Sequence, residues 1–304
     1  MEIKSNDSMT CLQNKVAVVV VTYNRKNLLK ECIEALVHQE YQNREIIIVD
    51  NASTDGTAEM IKEYFPVGLI YYNTGKNLGG AGGFNYGMKK ALETGCKYIW
   101  LMDDDCIVNN TSLPCLLSEA DNLKDEFGFM SSQVLWIDGS LCNMNIQKKS
   151  YLKKITNEDN NTTRVMMATF VSFFVKAETT RKVGLPITDF FIWADDLEYS
   201  RRISRQYPCY YVPSSTVVHK TKNNLGSNLP ADQSKDLSRY SYAYRNEYYV
   251  YRREGLKGIM YYWLKRVYHT VKIILNSDRK REKLNIIHRA IKEGKRFDPP
   301  VEFA

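Results

Sequence analysis

Short runs of β-branched residues alternate with segments of helical periodicity along the first half of the chain. Residues 16–21 form a continuous apolar run that predicts a buried strand, and the apolar positions at three- and four-residue spacing after it predict an amphipathic helix. Residues 45–49, 69–72 and 98–102 predict further strands, with helical patterns between them. Because this alternation is typical of βαβ units, we expect an α/β fold with a mostly parallel, Rossmann-like sheet flanked by helices.

The second half has a less regular pattern. A polar stretch at 138–164 predicts loops or hairpins, and 169–175 predicts another strand. A helix is expected from about Asp195, followed by two short strands at 210–212 and 216–218.

From residue 236 onward helical periodicity dominates, which predicts a basic, Tyr-rich helical appendage at 236–304. Between Arg239 and Arg296 there are 16 Lys or Arg residues against 5 Asp or Glu. Apolar residues recur there every three or four positions, at Leu256, Met260, Trp263, Val267, Val271 and Ile274. Such a stripe fits a helix that lies in a membrane interface beside anionic lipid, or one that packs in the core or against another subunit.

The overall composition narrows the class of protein. The 304 residues are 44% hydrophobic and 25% charged, as in ordinary globular proteins, and a net charge of +7 is too small for a histone-like nucleic-acid binder. Seven cysteines without a CxxC pair indicate neither a disulfide framework nor a structural zinc site, so we expect a cytoplasmic protein. No signal sequence is apparent, and the longest apolar run is far too short to span a bilayer. Membrane contact, if present, is expected to be peripheral.

The strongest chemical signal is the run Asp103–Asp104–Asp105 at the end of a predicted strand. Adjacent carboxylates repel one another unless a cation or solvent compensates them. Mg²⁺ or Mn²⁺ would do so, held by one or two carboxylates and by substrate phosphate oxygens. A solvated acidic turn is the alternative.

Other polar segments follow neighbouring predicted strands, at 22–25 and 50–55. Ligands of open α/β sheets bind beyond the carboxyl ends of the strands, so these segments and the acidic run are expected to meet in one cleft. The glycine-rich segment 77–83 precedes a helix and is expected to let backbone N–H groups approach an anion. It matches neither the phosphate loop of ATPases nor a dinucleotide-binding fingerprint.

A second acidic pair, Asp195–Asp196, lies about ninety residues further on and begins a predicted helix. The pair could stabilise the helix N-terminus, or Asp196 could act as a general base. His219 ends the last predicted strand, and it is either a structural residue or a further metal ligand.

Four motifs resemble those of the family 2 glycosyltransferases in type, order and spacing. They are VVVVTYN at 18–24, IIVDNASTDG at 47–56, NLGGAGGF at 77–84 and LMDDD at 101–105. The resemblance covers roughly residues 15 to 220. It implies a GT-A fold, a nucleoside-diphosphate-sugar donor, a divalent metal ion and inversion at the anomeric carbon.

Carried over by position, Asp50 resembles the residue that contacts the base, Asp104 the one near the ribose and Asp105 the metal ligand. In WADDLE at 193–198, the second acid of the matching motif is the catalytic base, which here is Asp196. Candidate contacts with the nucleotide sugar are Thr22, Tyr23, Asn24, Arg25, Asp50, Asn51, Ser53, Asn77, Gly79, Gly80, Asp103, Asp104, Trp193 and Asp195. The candidate ligands of Mn²⁺ or Mg²⁺ are Asp105, Asp103 and His219.

Within the family, the glycine-rich segment, the Trp-x-Asp-Asp run and His219 are most similar to galactofuranosyltransferases, which implies UDP-galactofuranose as the donor. Rhamnosyltransferases, which use dTDP-rhamnose, have similar early motifs and are the alternative. A non-catalytic nucleotide-sugar or glycan-binding protein of the same fold is a further alternative. It is less consistent with the acidic residues at 103–105 and 195–196, because a binding protein has no need of a general base. The chain lacks the long N-terminal β domain of the polymerising galactofuranosyltransferases, which favours addition of a single sugar. The expected acceptor is a glycan or lipid-linked oligosaccharide of a bacterial surface polysaccharide such as O-antigen.

These expectations define a domain organisation. We expect an N-terminal extension at 1–14 and a GT-A domain at 15–235, in which 15–135 binds the nucleotide sugar and metal and 136–235 the acceptor. The region 236–304 would contact the inner face of the plasma membrane or another copy of the chain. No nucleic-acid partner is expected.

Overall fold

The computed structural model describes residues 14–304. The predicted N-terminal extension therefore lies, apart from Asn14, outside the described residues, as does Cys11. Within 14–304, no helix combines the length and the apolar character needed to cross a bilayer.

The described strands form one sheet with the order β3-β2-β1-β4-β8-β6-β9-β5, and β7 pairs with β9. The strands are β1 (Val16–Thr22), β2 (Arg44–Asp50), β3 (Leu69–Asn73), β4 (Tyr98–Asp103), β5 (Cys106–Val108), β6 (Phe129–Leu135), β7 (Thr163–Arg164), β8 (Phe173–Lys176) and β9 (Tyr210–His219). The first four strands are mutually parallel, and β8 pairs antiparallel with β4 and β6. The predicted α/β fold with a mostly parallel sheet is confirmed.

Helices cover the sheet and form the C-terminal region. They are α1 (Lys26–Val37), α2 (Thr57–Tyr64), α3 (Gly79–Glu93), α4 (Ser112–Asn122), α5 (Ala177–Val183), α6 (Asp195–Ser204), α7 (Arg239–Arg252), α8 (Gly255–Asn276) and α9 (Lys280–Gly294), with a 3₁₀ turn at Thr188–Phe190. Every residue of β1 is buried, and its side chains alternate between the two large core clusters on opposite faces of the sheet. Burial on both faces explains why this strand is an uninterrupted apolar run.

Strand register places the predicted site segments at one edge of the sheet. Thr22 at the end of β1 pairs with Asp50 at the end of β2, and Val21 pairs with Asp103 at the end of β4. The polar segments that follow these strands therefore begin side by side, as the sequence predicts.

The sequence predicts that the glycine-rich segment 77–83 precedes the helix, whereas α3 already begins within it, at Gly79. Glycines suggest a loop in the sequence, yet here they allow the helix to pack very close to β1. A Cβ atom on Gly83 would lie 2.5 Å from Val21 Cγ1, and one on Gly87 would lie 2.4 Å from Val19 Cγ1. Close packing between helix and sheet offsets the low helix propensity of glycine.

Two predictions in the second half are wrong in their bounds. The strand expected at 169–175 is confined to Phe173–Lys176. The two short strands expected after α6 are one continuous strand, β9, with a register shift opposite Ser132 and Gln133. The shift falls where Pro213 lacks a backbone donor, so the interruption in the pattern marks a bulge rather than a break.

The C-terminal helices confirm the predicted helical region. They also show which residues of the apolar stripe are buried and which are exposed. Of the six stripe residues, only Trp263 is partly buried, and the other five are exposed. Core packing within this chain is therefore the wrong explanation for most of the stripe. Helix α8 instead buries the opposite side, through Gly258, Tyr262 and Ile273.

Candidate active site

The acidic run at the end of β4 is held by Thr22, which ends β1, and by Arg25, which follows it. The hydroxyl of Thr22 donates a 2.6 Å hydrogen bond to Asp104 Oδ2. The guanidinium of Arg25 donates to Asp104 Oδ1 over 3.3 Å and to Asp105 Oδ2 over 2.7 Å. Asp104 and Asp105 are both buried, whereas half of the Arg25 side chain is exposed. The predicted site residues from β1 and β4 are thus in direct contact.

The three carboxylates are electrostatically different. Burial and the charge of Asp105 raise the pKa of Asp103 to about 7. Burial also raises the pKa of Asp104 to about 6, although Arg25 and Thr22 oppose the rise. For Asp105, burial is outweighed by the hydrogen bond and charge of His219 and by Arg25, so its pKa is lowered. Asp105 is therefore the member of the run that is most readily ionised.

His219 lies against Asp105, as expected for a pair of ligands to one ion. Its Nε2 is 2.9 Å from Asp105 Oδ1, and its Nδ1 is 2.8 Å from Asn145 Oδ1. The amide nitrogen of Asn145 donates to Thr169 Oγ1 over 2.9 Å, which fixes the amide oxygen towards the imidazole. Because an amide oxygen only accepts, Nδ1 carries a hydrogen, and Nε2 is the atom aimed at Asp105.

The imidazole also compensates for negative charge. Burial alone would lower the pKa of His219, but its hydrogen bonds with Asp105 and Cys142 and the charges of Asp105 and Asp103 raise it to about 10. A cation held by Nε2 and Asp105 would replace the Nε2 proton.

The ligand types at this position suit a divalent ion. Single ligand atoms of Asp105, Cys106 and His219 all lie within 4.8 Å of one another. Burial and the neighbouring acids raise the pKa of Cys106 well above its usual value, so its sulfur is a neutral thiol and a poor ligand for a hard ion. One carboxylate and one imidazole remain, a set that suits Mn²⁺ better than Mg²⁺. Asp103 lies outside this trio of ligand atoms and acts on it through its charge.

A second group of polar side chains lies at the carboxyl end of β2 and just beyond it. The carboxylate of Asp50 accepts 2.6 Å and 2.8 Å hydrogen bonds from the Tyr71 hydroxyl and the Ser53 backbone N–H. The amide nitrogen of Asn51 donates to the Gly79 carbonyl over 2.9 Å. Asn51 Oδ1 is buried and has no hydrogen-bond partner among the described residues. Since such an atom is costly to leave unpaired, it indicates a ligand donor at this point of the cleft.

The segment after β1 is tied to the segment after β2. The backbone N–H of Asn24 donates to Ser53 Oγ over 2.8 Å, and Asn24 Oδ1 accepts a 2.7 Å hydrogen bond from the Thr54 backbone. Tyr23, beside them, is 44% exposed, so its ring is free to contact a ligand. Asn24 and Ser53 thus have a structural role whether or not they touch a donor.

The start of α3 meets the segment before α6. Gly79 has a φ of +72°, and a Cβ there would lie 2.1 Å from the carbonyl oxygen of Phe191. Asn77 Oδ1 accepts the Gly79 N–H over 2.8 Å and so fixes the helix start. A Cβ on Gly80 would have no neighbour within 4 Å, so this residue faces open space.

The segment that leads into α6 has an unusual backbone. Phe191, Trp193 and Ala194 all have positive φ values, of 61°, 66° and 63°. The side chain of Asn246 on α7 holds the segment by donating to the backbone carbonyls of Phe190, Ile192 and Trp193. Strained backbone of this kind persists only where surrounding contacts fix it, and it is concentrated at functional sites. The C-terminal helices therefore position the acidic pair.

Asp195 and Asp196 begin α6, and Asp195 is close enough to the first acidic run for the charge of Asp103 to act on it. Burial, Asp196 and Asp103 together raise the pKa of Asp195 well above its usual value. Burial raises the pKa of Asp196 to about 6, against a hydrogen bond from the Leu197 N–H and the charge of Lys148. An acid of this pKa is ionised at neutral pH and basic enough to accept a proton. Trp193, which precedes the pair, packs on Tyr240 with ring centroids 5.2 Å apart.

Three contributors to the site could not be found by the sequence motifs. Asn145 and Lys148 fall in the polar stretch expected to form loops, and Asn246 lies in the C-terminal helices. None of them has a spacing signal, because each reaches the site through tertiary contacts.

The comparisons with known proteins agree with this architecture. The family model described as "Glycosyl transferase family 2" matches residues 17–179. Galactofuranosyltransferase GlfT1 of Mycolicibacterium smegmatis is 27% identical over 268 residues, covering 81% of this chain and 85% of that protein. The structure of S. aureus TarS 1-349 in complex with UDP-GlcNAc is 15% identical, with a TM-score of 0.54 over 93% of this chain and 73% of that one. The structure of GalNAc-T7 with UDP, GalNAc and Mn²⁺ is 15% identical, with a TM-score of 0.65 over 92% of this chain and 55% of that one.

The fold and its acidic cleft define a glycosyltransferase of the GT-A type. The chain belongs to glycosyl transferase family 2, and it is a hexosyltransferase.

Proposed function

We propose that the chain is an inverting, metal-dependent galactofuranosyltransferase that uses UDP-galactofuranose. The acceptor we propose is a glycan or lipid-linked oligosaccharide of a bacterial surface polysaccharide, at the cytoplasmic face of the plasma membrane. The similarity to galactofuranosyltransferase GlfT1 over 81% of the chain is the observation that carries the choice of sugar. In this proposal, residues 15–135 bind the donor and 136–235 the acceptor.

The residues that follow β1, β2 and β4 support the donor side. The unpaired Asn51 Oδ1 would accept a hydrogen bond from the nucleotide, and Asp50 beside it would contact the base. Asp104 would accept from a ribose hydroxyl, since its buried carboxylate is already fixed by Thr22. Gly80 leaves open space at the start of α3, where the helix dipole would favour the diphosphate.

Asp105 and His219 would hold the metal ion. Their facing atoms, Oδ1 and Nε2, and the orientation of the imidazole by Asn145 fit a bound divalent cation. The ion would supply positive charge that neutralises the departing diphosphate.

Asp196 would act as the general base in a single displacement. It takes the proton of an acceptor hydroxyl while that oxygen forms a bond to the anomeric carbon from the side opposite the diphosphate. The bond from that carbon to the diphosphate oxygen breaks, and its electron pair leaves with UDP. Burial keeps the carboxylate of Asp196 basic enough for this transfer. Asp195 and Trp193 would position the sugar beside it.

A donor panel tests the proposal. The purified chain is incubated with Mn²⁺ and, in turn, UDP-galactofuranose, UDP-galactopyranose, UDP-GlcNAc and dTDP-rhamnose, and thermal stabilisation and slow hydrolysis are scored. We expect UDP-galactofuranose to give the largest shift and to be the donor that is hydrolysed. Activity with dTDP-rhamnose alone would refute the choice of sugar and favour the rhamnosyltransferase alternative. Donor binding without hydrolysis or transfer to any glycan would refute catalysis.

A further inference from the structure

Helix α8 presents a continuous apolar face to solvent. Leu256, which is 86% exposed, and Leu264, which is 65% exposed, are representative. The exposed large apolar residues of α8 are Leu256, Met260, Leu264, Val267, Tyr268, Val271, Ile274 and Leu275. At 3.6 residues per turn they fall within about 120° of the helix circumference and extend over about 29 Å. An exposed apolar face of this length indicates an interaction surface rather than scattered surface residues.

The opposite side of α8 fixes the helix to the rest of the protein. Tyr262 is buried, and its hydroxyl donates to the Tyr244 carbonyl on α7 over 3.2 Å. Lys265 forms a 2.6 Å ion pair with Glu247, and Tyr244 and His269 share a 2.6 Å hydrogen bond. These contacts hold the inner side of α8 against α7. The apolar face of the helix is therefore directed towards solvent in the folded protein.

The charges around the face are positive. Helix α8 contains no Asp or Glu, and Lys257 and Lys272 are exposed on it. A second copy of the chain would bring the same cations together across a symmetric contact, which is unfavourable. An anionic lipid surface would pair with them and would also accept the apolar side chains.

A small cavity lined partly by the side chains of cations borders the same helix. It has a volume of about 220 Å³ and is lined by Trp263, Arg266, His288, Ile291, Lys292 and Lys295. The guanidinium of Arg266 lies 4.6 Å from the centre of the Trp263 ring, which keeps it at the cavity wall. The surface that lines the cavity is mostly apolar, so it is formed by the aliphatic stems of these cations rather than by their charged ends.

We propose that α8 docks on an anionic membrane surface, with its apolar face inserted in the interfacial region and the cations of α8 and α9 beside lipid phosphates. On the inner side of the helix, Lys265 pairs with Glu247 of α7. Combined with the proposed function, the docking would bring the enzyme to the surface that holds a lipid-linked acceptor. The docking itself does not depend on the identity of the donor.

Vesicle flotation tests the docking without any donor. The full chain is mixed with phosphatidylcholine vesicles or with mixed phosphatidylglycerol–phosphatidylcholine vesicles. We expect the protein to float with the anionic vesicles and to stay largely unbound with the neutral ones. The double variant Leu264→Glu, Val267→Glu should lower the partition coefficient at least tenfold, because it places two carboxylates in the inserted face. Lys292→Gln, Lys295→Gln should lower it on anionic vesicles by about fivefold for each charge removed.

A matched variant controls for the change in charge. Val67→Glu, Ile137→Glu makes the same type of substitution at side chains that are 84% and 57% exposed but lie outside α8, and it should retain vesicle binding. Circular dichroism and donor-induced thermal stabilisation identify variants that are not folded.

Failure of the unmodified chain to float, or equal flotation of the α8 variant, would overturn the proposal. So would a lipid-free dimer that the α8 variant dissociates, because the apolar face would then be a subunit contact. A failed donor panel with intact flotation would reject only the proposed function.

Discussion

The guanidinium of Arg25 donates a 2.7 Å hydrogen bond to Asp105 Oδ2, so the candidate metal ligand is already paired with a cation of the chain itself. Arg25 also contacts Asp104, and its charge stabilises the ionised form of both acids. The sequence predicts a role for Arg25 at the donor, whereas the structure places it on the acidic run. An arginine that pairs with a metal ligand is expected to compete with the metal ion.

Replacing Arg25 by Met should make the fold depend more strongly on metal. Without the guanidinium, the carboxylates of Asp104 and Asp105 lose their compensation, so the melting temperature in EDTA should fall. Mn²⁺ should then restore more stability in the variant than in the unmodified chain, which differential scanning fluorimetry over a Mn²⁺ series measures. Lys62→Met, which removes an exposed cation from α2, should leave the Mn²⁺ response unchanged. An identical response in all three proteins would contradict competition between Arg25 and the ion.

Asn145→Ala should weaken metal binding about 10- to 100-fold, the range for residues that orient a ligand. The amide oxygen of Asn145 fixes the His219 ring, so without it the ring is free to turn Nε2 away from Asp105. Mn²⁺ affinity, measured by electron paramagnetic resonance of the free ion, reports this without any turnover. Thr169→Val removes the partner of the Asn145 amide nitrogen but keeps the contact with His219, so its effect should be smaller. Equal losses in both variants would point to general damage instead.

The two halves of the site differ in how far the sequence predicts them. Asp50 and Asp103 each end a buried strand, so local pattern and sheet geometry are enough to place them together. Asn145 and Asn246 act from a loop and from a distant helix, and no local pattern links either one to the cleft. The glycines of α3 are misleading for the same reason, because the close approach of β1 and Phe191 that requires them is a tertiary contact.

Gly79 and Gly80 offer a matched pair of substitutions in one helical turn. Gly79→Ala places a Cβ 2.1 Å from the Phe191 carbonyl oxygen at a φ of +72°, and should lower the free energy of unfolding by about 1 to 3 kcal/mol. Gly80→Ala meets nothing within 4 Å and should leave stability unchanged or raise it by up to about 1 kcal/mol, since alanine favours a helix. Urea unfolding of both variants measures the difference. Similar values for the two would mean that α3 does not pack against the segment before α6 as closely as described.

Asp196→Asn should lower kcat by about 10² to 10⁴-fold, the contribution of a general base. The amide keeps the size of the side chain, so donor affinity measured by calorimetry should be nearly unchanged. In the unmodified chain, kcat at saturating Mn²⁺ should fall as the pH decreases through about 6, where Asp196 becomes protonated. The residual activity of the variant should depend less steeply on pH near 6, because Asp104 but not residue 196 then titrates there. Asp138→Asn, at an exposed carboxylate outside the cleft, serves as the control and should retain full turnover.

The same Asp196→Asn substitution should stabilise the fold at neutral pH. Burial raises the pKa of Asp196 from 3.8 to about 6, so the folded state binds the proton more tightly than the unfolded state does. The Asp196 carboxyl therefore makes its full contribution to the free energy of unfolding below pH 3.8. This contribution is lost as the pH rises to about 6 and does not change further above that pH. Asparagine imitates the protonated acid, so the variant should gain up to about 2 kcal/mol at pH 7.5. The gain should shrink steadily between pH 6 and pH 4.5, measured by urea unfolding at each pH. A variant that is inactive and less stable at pH 7.5 would show that Asp196 supports the fold. The raised pKa that burial gives to Asp196 would then no longer support its role as a base.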